Sequence, residues 1–147
     1  MAFDIVEWLA MSSTNGHGLV GLVIVSHSAS IADGVAELVA QVAGPDVAII
    51  TAGGGPDGTL GTDGGRVRDA LVAADTGEGA VVLVDLGSAL LSVRAALEDL
   101  DGEASRFVLA DAPLVEGAIS AGVIASTGAP LADVAAAAEE ARGARKL

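Results

Sequence analysis

The chain has 147 residues, of which 52% are hydrophobic but only 2% aromatic, so one domain of ordinary size must build its core from Ala, Val, Leu and Ile. Its formal net charge of −13 argues against nucleic acids and anionic membrane surfaces as partners, because both are bound through clusters of Lys and Arg. Since the chain contains no cysteine, disulfides, thiol catalysis and Cys-ligated metals are excluded.

Residues 1–18 differ in character from the remainder, and we expect them to form a flexible leader ahead of a single domain over 19–147. The stretch 12–18 is rich in Ser, Asn and Gly, which favours a connector without regular structure. His17 lies in this stretch and is expected to be solvated. The start lacks the basic segment of a signal peptide, and no apolar run reaches the length of a membrane span, so a cytoplasmic location is expected.

From residue 19 onward, apolar β-branched runs alternate with helical patterns. Strands are predicted over 19–25, 47–51, 80–85 and 106–110, and helices over 29–43, 65–75, 88–100, 113–126 and 131–145. The strand runs are continuously apolar rather than alternating, which is typical of strands buried on both faces. This order predicts an α/β fold with right-handed crossovers: a doubly wound parallel four-stranded sheet, order 2-1-3-4, with helices on both faces.

The segment 52–65 is the exception to this regular spacing. It is rich in glycine and too long for a plain connector between a strand and a helix. We expect a functional loop that shapes itself around a ligand or a partner, with a disordered surface loop as the alternative.

His27 is the first candidate functional residue, because it follows the first predicted strand and precedes the first predicted helix. A helix N-terminus at the carboxyl edge of a parallel sheet offers free N–H groups to an anion such as phosphate. Asp85 ends the third predicted strand, which lies beside the first in the order 2-1-3-4. A carboxylate that accepts from one ring nitrogen fixes the tautomer and leaves the other nitrogen free to attack. The alternative is that each residue only caps a helix.

Five further positions offer hydrogen-bond donors to a phosphate. They stand at the starts of predicted helices or in the glycine-rich loop: Ser28, Ser30, Thr62, Gly87 and Ser88. The glycine-rich segment lacks the lysine of a P-loop, and no dinucleotide fingerprint follows the first strand. Two histidines, one of them in the leader, are too few for a His-based metal site. Neither a cofactor nor a metal is therefore expected.

Three segments carry a resemblance to a known family: Val23–Ser28, Leu60–Asp63 and Val84–Ser92. Together they are similar to the phosphocarrier subunit of phosphotransferase-system-dependent dihydroxyacetone kinase, which belongs to the mannose-type enzyme IIA group. The similarity covers nearly the whole chain after the leader. It implies a doubly wound domain, usually dimeric, that carries a phosphate on His27. It also implies that Asp85 is the carboxylate that hydrogen-bonds this histidine.

The resemblance also implies partners. Phosphate would arrive from the small histidine-containing phosphocarrier protein and leave toward the ADP-binding subunit of the kinase, and the chain would form a homodimer. The residues leave three other functions open: a mannose-type enzyme IIA domain of a sugar transporter, a non-catalytic anion-binding regulatory module, and a small hydrolase. The hydrolase would use Ser26 or Ser88 with His27 and Asp85, and it is disfavoured because the sequence has no nucleophile-elbow motif.

Overall fold

The structure is a computed structural model that describes residues 18–147, so the predicted leader lies outside the described residues apart from Gly18. The strands are β1 (Gly21–Ser26), β2 (Ile49–Gly53), β3 (Ala80–Val84) and β4 (Phe107–Leu109). The α-helices are α1 (Ala29–Ala43), α2 (Gly64–Ala74), α3 (Ala89–Asp99), α4 (Leu114–Ser126) and α5 (Leu131–Glu140). Short 3₁₀ helices span Ala104–Arg106 and Ala141–Gly143. No helix in this part of the chain is long and apolar enough to cross a membrane.

The four strands form one parallel sheet in the order β2-β1-β3-β4, which confirms the predicted fold class and strand order. Every predicted strand and helix is found, with small shifts at most ends. The largest difference is at α5, which ends at Glu140 instead of residue 145 and continues as a 3₁₀ turn. Gly143 lowers helix propensity there, and Arg142 donates to the carbonyl oxygen of Asp111 from outside the helix.

The two central strands are buried on both faces, as their continuous apolar runs predict. All of β1 and the first four residues of β3 are buried. The edge strands β2 and β4 are only partly buried, because each has a neighbouring strand on one side alone. The carboxyl ends of β1 and β3 therefore meet at the centre of the sheet.

Side chains of β1 alternate between two hydrophobic layers. Leu22 and Ile24 pack with α1, α4 and α5 on one face, whereas Val23 and Val25 pack with α2 and α3 on the other. Small residues allow close helix packing: a Cβ on Gly122 of α4 would lie 2.5 Å from the Val39 side chain of α1. Ala and Gly at the contacts between helices thus allow the close packing of a core that has almost no aromatic residues.

An ion pair joins two turns at the amino-terminal edge of the sheet. Asp75, at the C-terminal end of α2, accepts from the N–H groups of Gly77 and Gly79 at 3.0 Å each. It also accepts from Nε and Nη2 of Arg106, which precedes β4. The Arg106 hydrogen bonds, with the two backbone donors, lower the pKa of Asp75 to about 2 although burial opposes the shift.

Replacement of this carboxylate, Asp75→Asn, is expected to lower the free energy of unfolding by about 1–2 kcal/mol at neutral pH. Because folding lowers the pKa of Asp75 to about 2, its stabilisation is fully present above the ordinary pKa of 3.8 and is lost as pH falls toward 2. Urea unfolding of both proteins should therefore show a difference that shrinks between about pH 4 and about pH 2. Asp46→Asn, at an exposed turn, is the matched control. A difference that persists at the acid end would contradict this role for the ion pair.

Candidate functional site

Strand pairing brings His27 and Asp85 together at the carboxyl edge of the sheet. Val25 of β1 is the register partner of Val84 in β3, so the residues that follow these strands are neighbours. The Asp85 N–H donates to the Val25 carbonyl oxygen at 3.1 Å, which extends the ladder to the site. His27 Nδ1 and Asp85 Oδ1 are 2.9 Å apart, although the two residues are 58 positions apart in the sequence.

The Asp85 carboxylate is a fully engaged hydrogen-bond acceptor. Oδ2 accepts from the Ser26 hydroxyl and from the His27 backbone N–H, both at 2.9 Å. Oδ1 accepts from the His27 ring and, at 2.7 Å, from the Leu86 N–H. Burial alone would raise the pKa of Asp85, but these four donors outweigh it and hold the pKa below its ordinary value. The group is therefore an ionised carboxylate at neutral pH.

An ionised carboxylate determines the tautomer of the His27 ring. Because Asp85 Oδ1 can only accept, Nδ1 carries the proton and the neutral ring has a lone pair on Nε2. Ser88 Oγ lies 2.9 Å from Nε2 and donates its hydroxyl proton there. The side chain of His27 remains 27% exposed, so the ring is held on both nitrogens without being enclosed.

Neither His27 nor Asp85 acts as a helix cap. Ser28 is the N-cap of α1, and its hydroxyl accepts from the Ile31 N–H at 3.3 Å. At the start of α3, the N-cap Ser88 makes no side-chain capping bond and Asp85 accepts from Leu86, which precedes the helix. The side chains of His27 and Asp85 are thus directed to each other rather than to the helix termini.

Several backbone N–H groups in the segments that flank the histidine and Ser88 make no hydrogen bond. In the described part of the chain, no hydrogen bond is made by the N–H groups of Ala29 and Ser30 in the first turn of α1 or by those of Gly87 and Ser88 before α3. N–H groups at helix N-termini bind anions. Of the predicted phosphate-binding residues, Ser88 contacts His27 directly and Gly87 is its neighbour. Ser30 is exposed in α1 and its side chain makes no hydrogen bond to His27.

The glycine-rich loop over 54–63 is attached to the same site. Gly61 donates its N–H to the His27 carbonyl oxygen at 2.9 Å, and Gly54 donates to the Ser26 carbonyl oxygen at 3.1 Å. Thr62 makes no hydrogen bond to His27; its Oγ1 lies 2.6 Å from Ser92 Oγ on α3. The loop, which follows β2 in the chain, therefore contacts both the end of β1 and helix α3.

Two residues of this network are not predicted in it from the sequence: Ser26 is considered there only as an alternative hydrolase nucleophile, and Ser92 is assigned no role. Ser26 is completely buried; its Oγ donates to Asp85 and accepts from the Ser28 N–H at 3.1 Å. A polar residue at the end of a run of apolar residues is the signal that could have identified Ser26 as part of the network. Ser92 lies four residues after Ser88, so the two hydroxyls share one face of α3.

The His27 side chain is partly open to solvent, and a cavity lies on the far side of Asp85. A cavity of about 530 Å³ opens beside β3 and β4 and is lined by Asp85 and Gly87 but not by His27. Within residues 18–147, no group of three or more His, Asp or Glu side chains is placed to hold a metal ion. The geometry provides an oriented nucleophilic nitrogen, Nε2, with a hydroxyl and free N–H groups near it. Such a nitrogen can accept a phosphoryl or acyl group.

Comparison with known proteins assigns the chain to a family. The sequence model of the family described as PTS system fructose IIA component, EIIA-man, matches residues 21–135. The chain is 42% identical over 132 residues to a Providencia stuartii protein named PEP-dependent dihydroxyacetone kinase, phosphoryl donor subunit DhaM, covering 87% of this chain and 28% of that relative. It is 41% identical over 106 residues to the DhaM subunit of dihydroxyacetone kinase 2 from Listeria innocua, covering 71% of this chain and 85% of that relative.

A solved structure has the same fold. The crystal structure of EF1359, described as a protein of unknown function, superposes with a TM-score of 0.78 and 34% sequence identity and covers 88% of this chain and 98% of that one. The chain thus spans only 28% of the Providencia relative but nearly the full length of EF1359.

Proposed function

The chain belongs to the family of PTS fructose IIA components, the mannose-type enzyme IIA group, and from this membership we propose that it is a histidine phosphocarrier for a dihydroxyacetone kinase. In this function His27 receives a phosphoryl group from the histidine-containing phosphocarrier protein and passes it to the ADP-binding subunit of the kinase. The relatives from Providencia and Listeria, whose names describe phosphoryl donor subunits, support this acceptor.

The hydrogen bond between His27 Nδ1 and Asp85 Oδ1 is the observation that carries the proposal. It places the proton on Nδ1 and the lone pair on Nε2, so Nε2 is the proposed phosphorylated atom. In the transfer, a bond forms between Nε2 and phosphorus while the phosphorus–nitrogen bond of the donor breaks. No proton has to leave His27, because Nδ1 keeps its own. Asp85 stabilises the more positive ring of the phosphorylated form.

The proposed phosphate site uses donors that have no other partner or can be released. Ser88 donates to Nε2 in the free protein and can turn its hydroxyl to a phosphoryl oxygen once Nε2 is occupied. The free N–H groups of Gly87 and Ser88 lie next to it, and those at the start of α1 lie next to Ser28 and Ser30. Positioning of donor and acceptor, with charge stabilised by such groups, provides most of the catalysis in phosphoryl transfer.

Exposed leucines beside the network support protein partners over a small substrate. Leu60, Leu86 and Leu91 are 82%, 60% and 73% exposed. Each precedes or follows a residue of the network directly: Gly61, Asp85 or Ser92. Apolar side chains grouped around a reactive group are typical of protein interaction sites. The net charge of −13 favours partners with a basic surface at their own sites.

We extend the proposal to a cytoplasmic homodimer. The small residues of α4, Gly122 among them, are used inside the chain and do not form the contact. An apolar groove between α4 and α5, lined by Ile119, Val123, Ile124 and Ala137, faces outward and is the proposed contact. A monomeric mass in sedimentation equilibrium would overturn the homodimer.

A small hydrolase is the second candidate, and one observation favours it. The hydrogen bonds run from Ser88 Oγ to the His27 ring and from the ring to Asp85, each 2.9 Å long. This is the arrangement of nucleophile, base and orienting carboxylate in Ser–His–Asp hydrolases. In this function Ser88 would carry the covalent intermediate. Ser88→Ala separates the two candidates: a phosphocarrier still takes phosphate on His27, whereas a hydrolase loses turnover of an activated ester such as p-nitrophenyl acetate.

The proposed function is tested with phosphoenolpyruvate, enzyme I and the histidine-containing phosphocarrier protein. The wild-type chain is expected to acquire one acid-labile phosphate, detectable by intact mass, and to lose it when the ADP-loaded kinase subunit is added. Absence of this phosphate label would contradict the phosphocarrier proposal. A phosphate label that is not transferred to the kinase subunit would instead indicate the sugar-transporter alternative, because the acceptor there is a different protein.

A further inference from the structure

We infer that Thr62 and Ser92 form a hydroxyl latch whose role is to position His27 for phosphoryl transfer; this inference rests on the proposed function. The latch is the 2.6 Å hydrogen bond between Thr62 Oγ1 and Ser92 Oγ. Both side chains are half-buried, and the residues are 30 positions apart in the sequence. Neither makes a hydrogen bond to the histidine ring, whose partners are Asp85 and Ser88, so both are positioning residues rather than catalytic ones.

The latch acts on the backbone of His27 through Gly61. The Gly61 N–H donates to the His27 carbonyl oxygen, and Gly61 is directly followed by Thr62. On the other side of His27, the backbone N–H donates to Asp85. The peptide groups on both sides of the histidine are thus held, one by the carboxylate and the other by the loop. Release of Thr62 would free the loop contact but leave the Asp85 contact in place.

The loop needs such an attachment because of its composition. Gly54, Gly58 and Gly61 have positive φ angles of 84°, 76° and 141°. Glycines have the largest conformational entropy to lose when a loop becomes ordered. A side-chain hydrogen bond at the end of the loop reduces the number of conformations in which Gly61 leaves His27.

One face of α3 contacts the histidine ring directly and its backbone carbonyl through the glycine-rich loop. Ser88 and Ser92 are four residues apart at the start of α3, so their hydroxyls point from one face. Ser88 contacts the ring at Nε2, and Ser92 holds the loop that contacts the His27 carbonyl oxygen. A shift of α3 would change both contacts together, and the latch opposes that shift.

Two single variants, Ser92→Ala and Thr62→Val, and their combination test the latch. Each is expected to lower the maximal rate of His27 phosphorylation about 10- to 100-fold with little change in KM for the donor protein. The double variant should be no slower than the slower single one, because both remove the same bond. Thr62→Ser keeps the hydroxyl and should restore the rate, and Ser105→Ala, at the opposite edge of the sheet, is the unchanged control.

Amide hydrogen exchange at Gly61 gives a second measurement that needs no phosphate donor. Loss of the latch should speed exchange at Gly61 by about 10-fold or more while amides in β1 and β3 keep their protection. Unchanged exchange at Gly61, or an unchanged maximal rate in folded Ser92→Ala, would overturn the latch. A wild-type chain that takes no phosphate would overturn the proposed function instead, and Gly61 exchange would then decide the latch alone.

Discussion

Replacement of His27 by alanine is expected to abolish formation of acid-labile phosphate on this chain. The ring supplies Nε2, and neither of its hydrogen-bond partners, Asp85 and Ser88, offers a nitrogen nucleophile. The rate of labelling should fall by more than about 10⁴-fold, beyond the loss of a single general acid–base contribution. Labelled wild-type protein should show the ³¹P signal of a phosphohistidine substituted at Nε2 rather than Nδ1.

The matched control for this experiment is His17→Ala, which removes the chain's other histidine. That variant should be labelled like the wild type, because His17 lies in the predicted leader. The free energy of unfolding of His27→Ala should stay close to the wild-type value, since the His27 backbone contacts with Asp85 and Gly61 do not require the ring. Label that persists in His27→Ala would place the phosphate elsewhere and refute the proposed role.

Replacement of Asp85 by asparagine is expected to slow phosphorylation of His27 by about 10²- to 10⁴-fold. An amide has one oxygen acceptor in place of two, so it cannot accept from Ser26, His27 and Leu86 together. If the amide nitrogen faces Nδ1, the ring proton moves to Nε2 and the nucleophilic lone pair is lost. The rate of the chemical step should fall more than the affinity for the donor protein.

The charge of Asp85 also has a consequence for pH. Because the contacts with His27, Ser26 and Leu86 lower its pKa despite burial, Asp85 is ionised at neutral pH, and its stabilising contacts are lost only as pH falls below the ordinary range of an aspartate. A stability difference between wild type and Asp85→Asn should therefore be present at pH 7 and diminish in acid. Urea unfolding at both pH values measures it separately from the transfer rate.

Asp111→Asn is the control for Asp85→Asn. Asp111 follows β4 at the same edge of the sheet, but its carboxylate is 90% exposed and pairs with Arg142 rather than with a histidine. Its replacement should leave the phosphorylation rate unchanged. Equal slowing in both variants would mean that acidic charge at this edge matters, and not the hydrogen bond to His27. If the free energy of unfolding of Asp85→Asn falls by as much as its activation free energy of phosphorylation rises, Asp85 has a structural role instead.

Local patterns determined the fold class and the candidate pair. The continuous apolar runs of β1 and β3 predict strands buried on both faces, and the regular alternation with helices predicts a parallel sheet. Since a residue that follows such a strand must lie at the carboxyl edge, the positions of His27 and Asp85 follow from their places in the chain. The resemblance of the segments around them to a family of phosphocarriers pointed to the chemistry.

Tertiary structure alone decided which groups complete the site. The donor to Nε2 is Ser88, 61 positions from His27; the buried Ser26 donates to Asp85 across 59 positions; and Thr62 meets Ser92 instead of the histidine. Each of these contacts depends on hydroxyl directions at the ends of packed elements, where a shift of one ångström makes or breaks a hydrogen bond. Periodicity along the chain carries information about faces and edges, and it contains none about such distances. The sequence by itself therefore determined at which edge of the sheet this protein places His27 and Asp85, and only the folded arrangement decided how the histidine is held there.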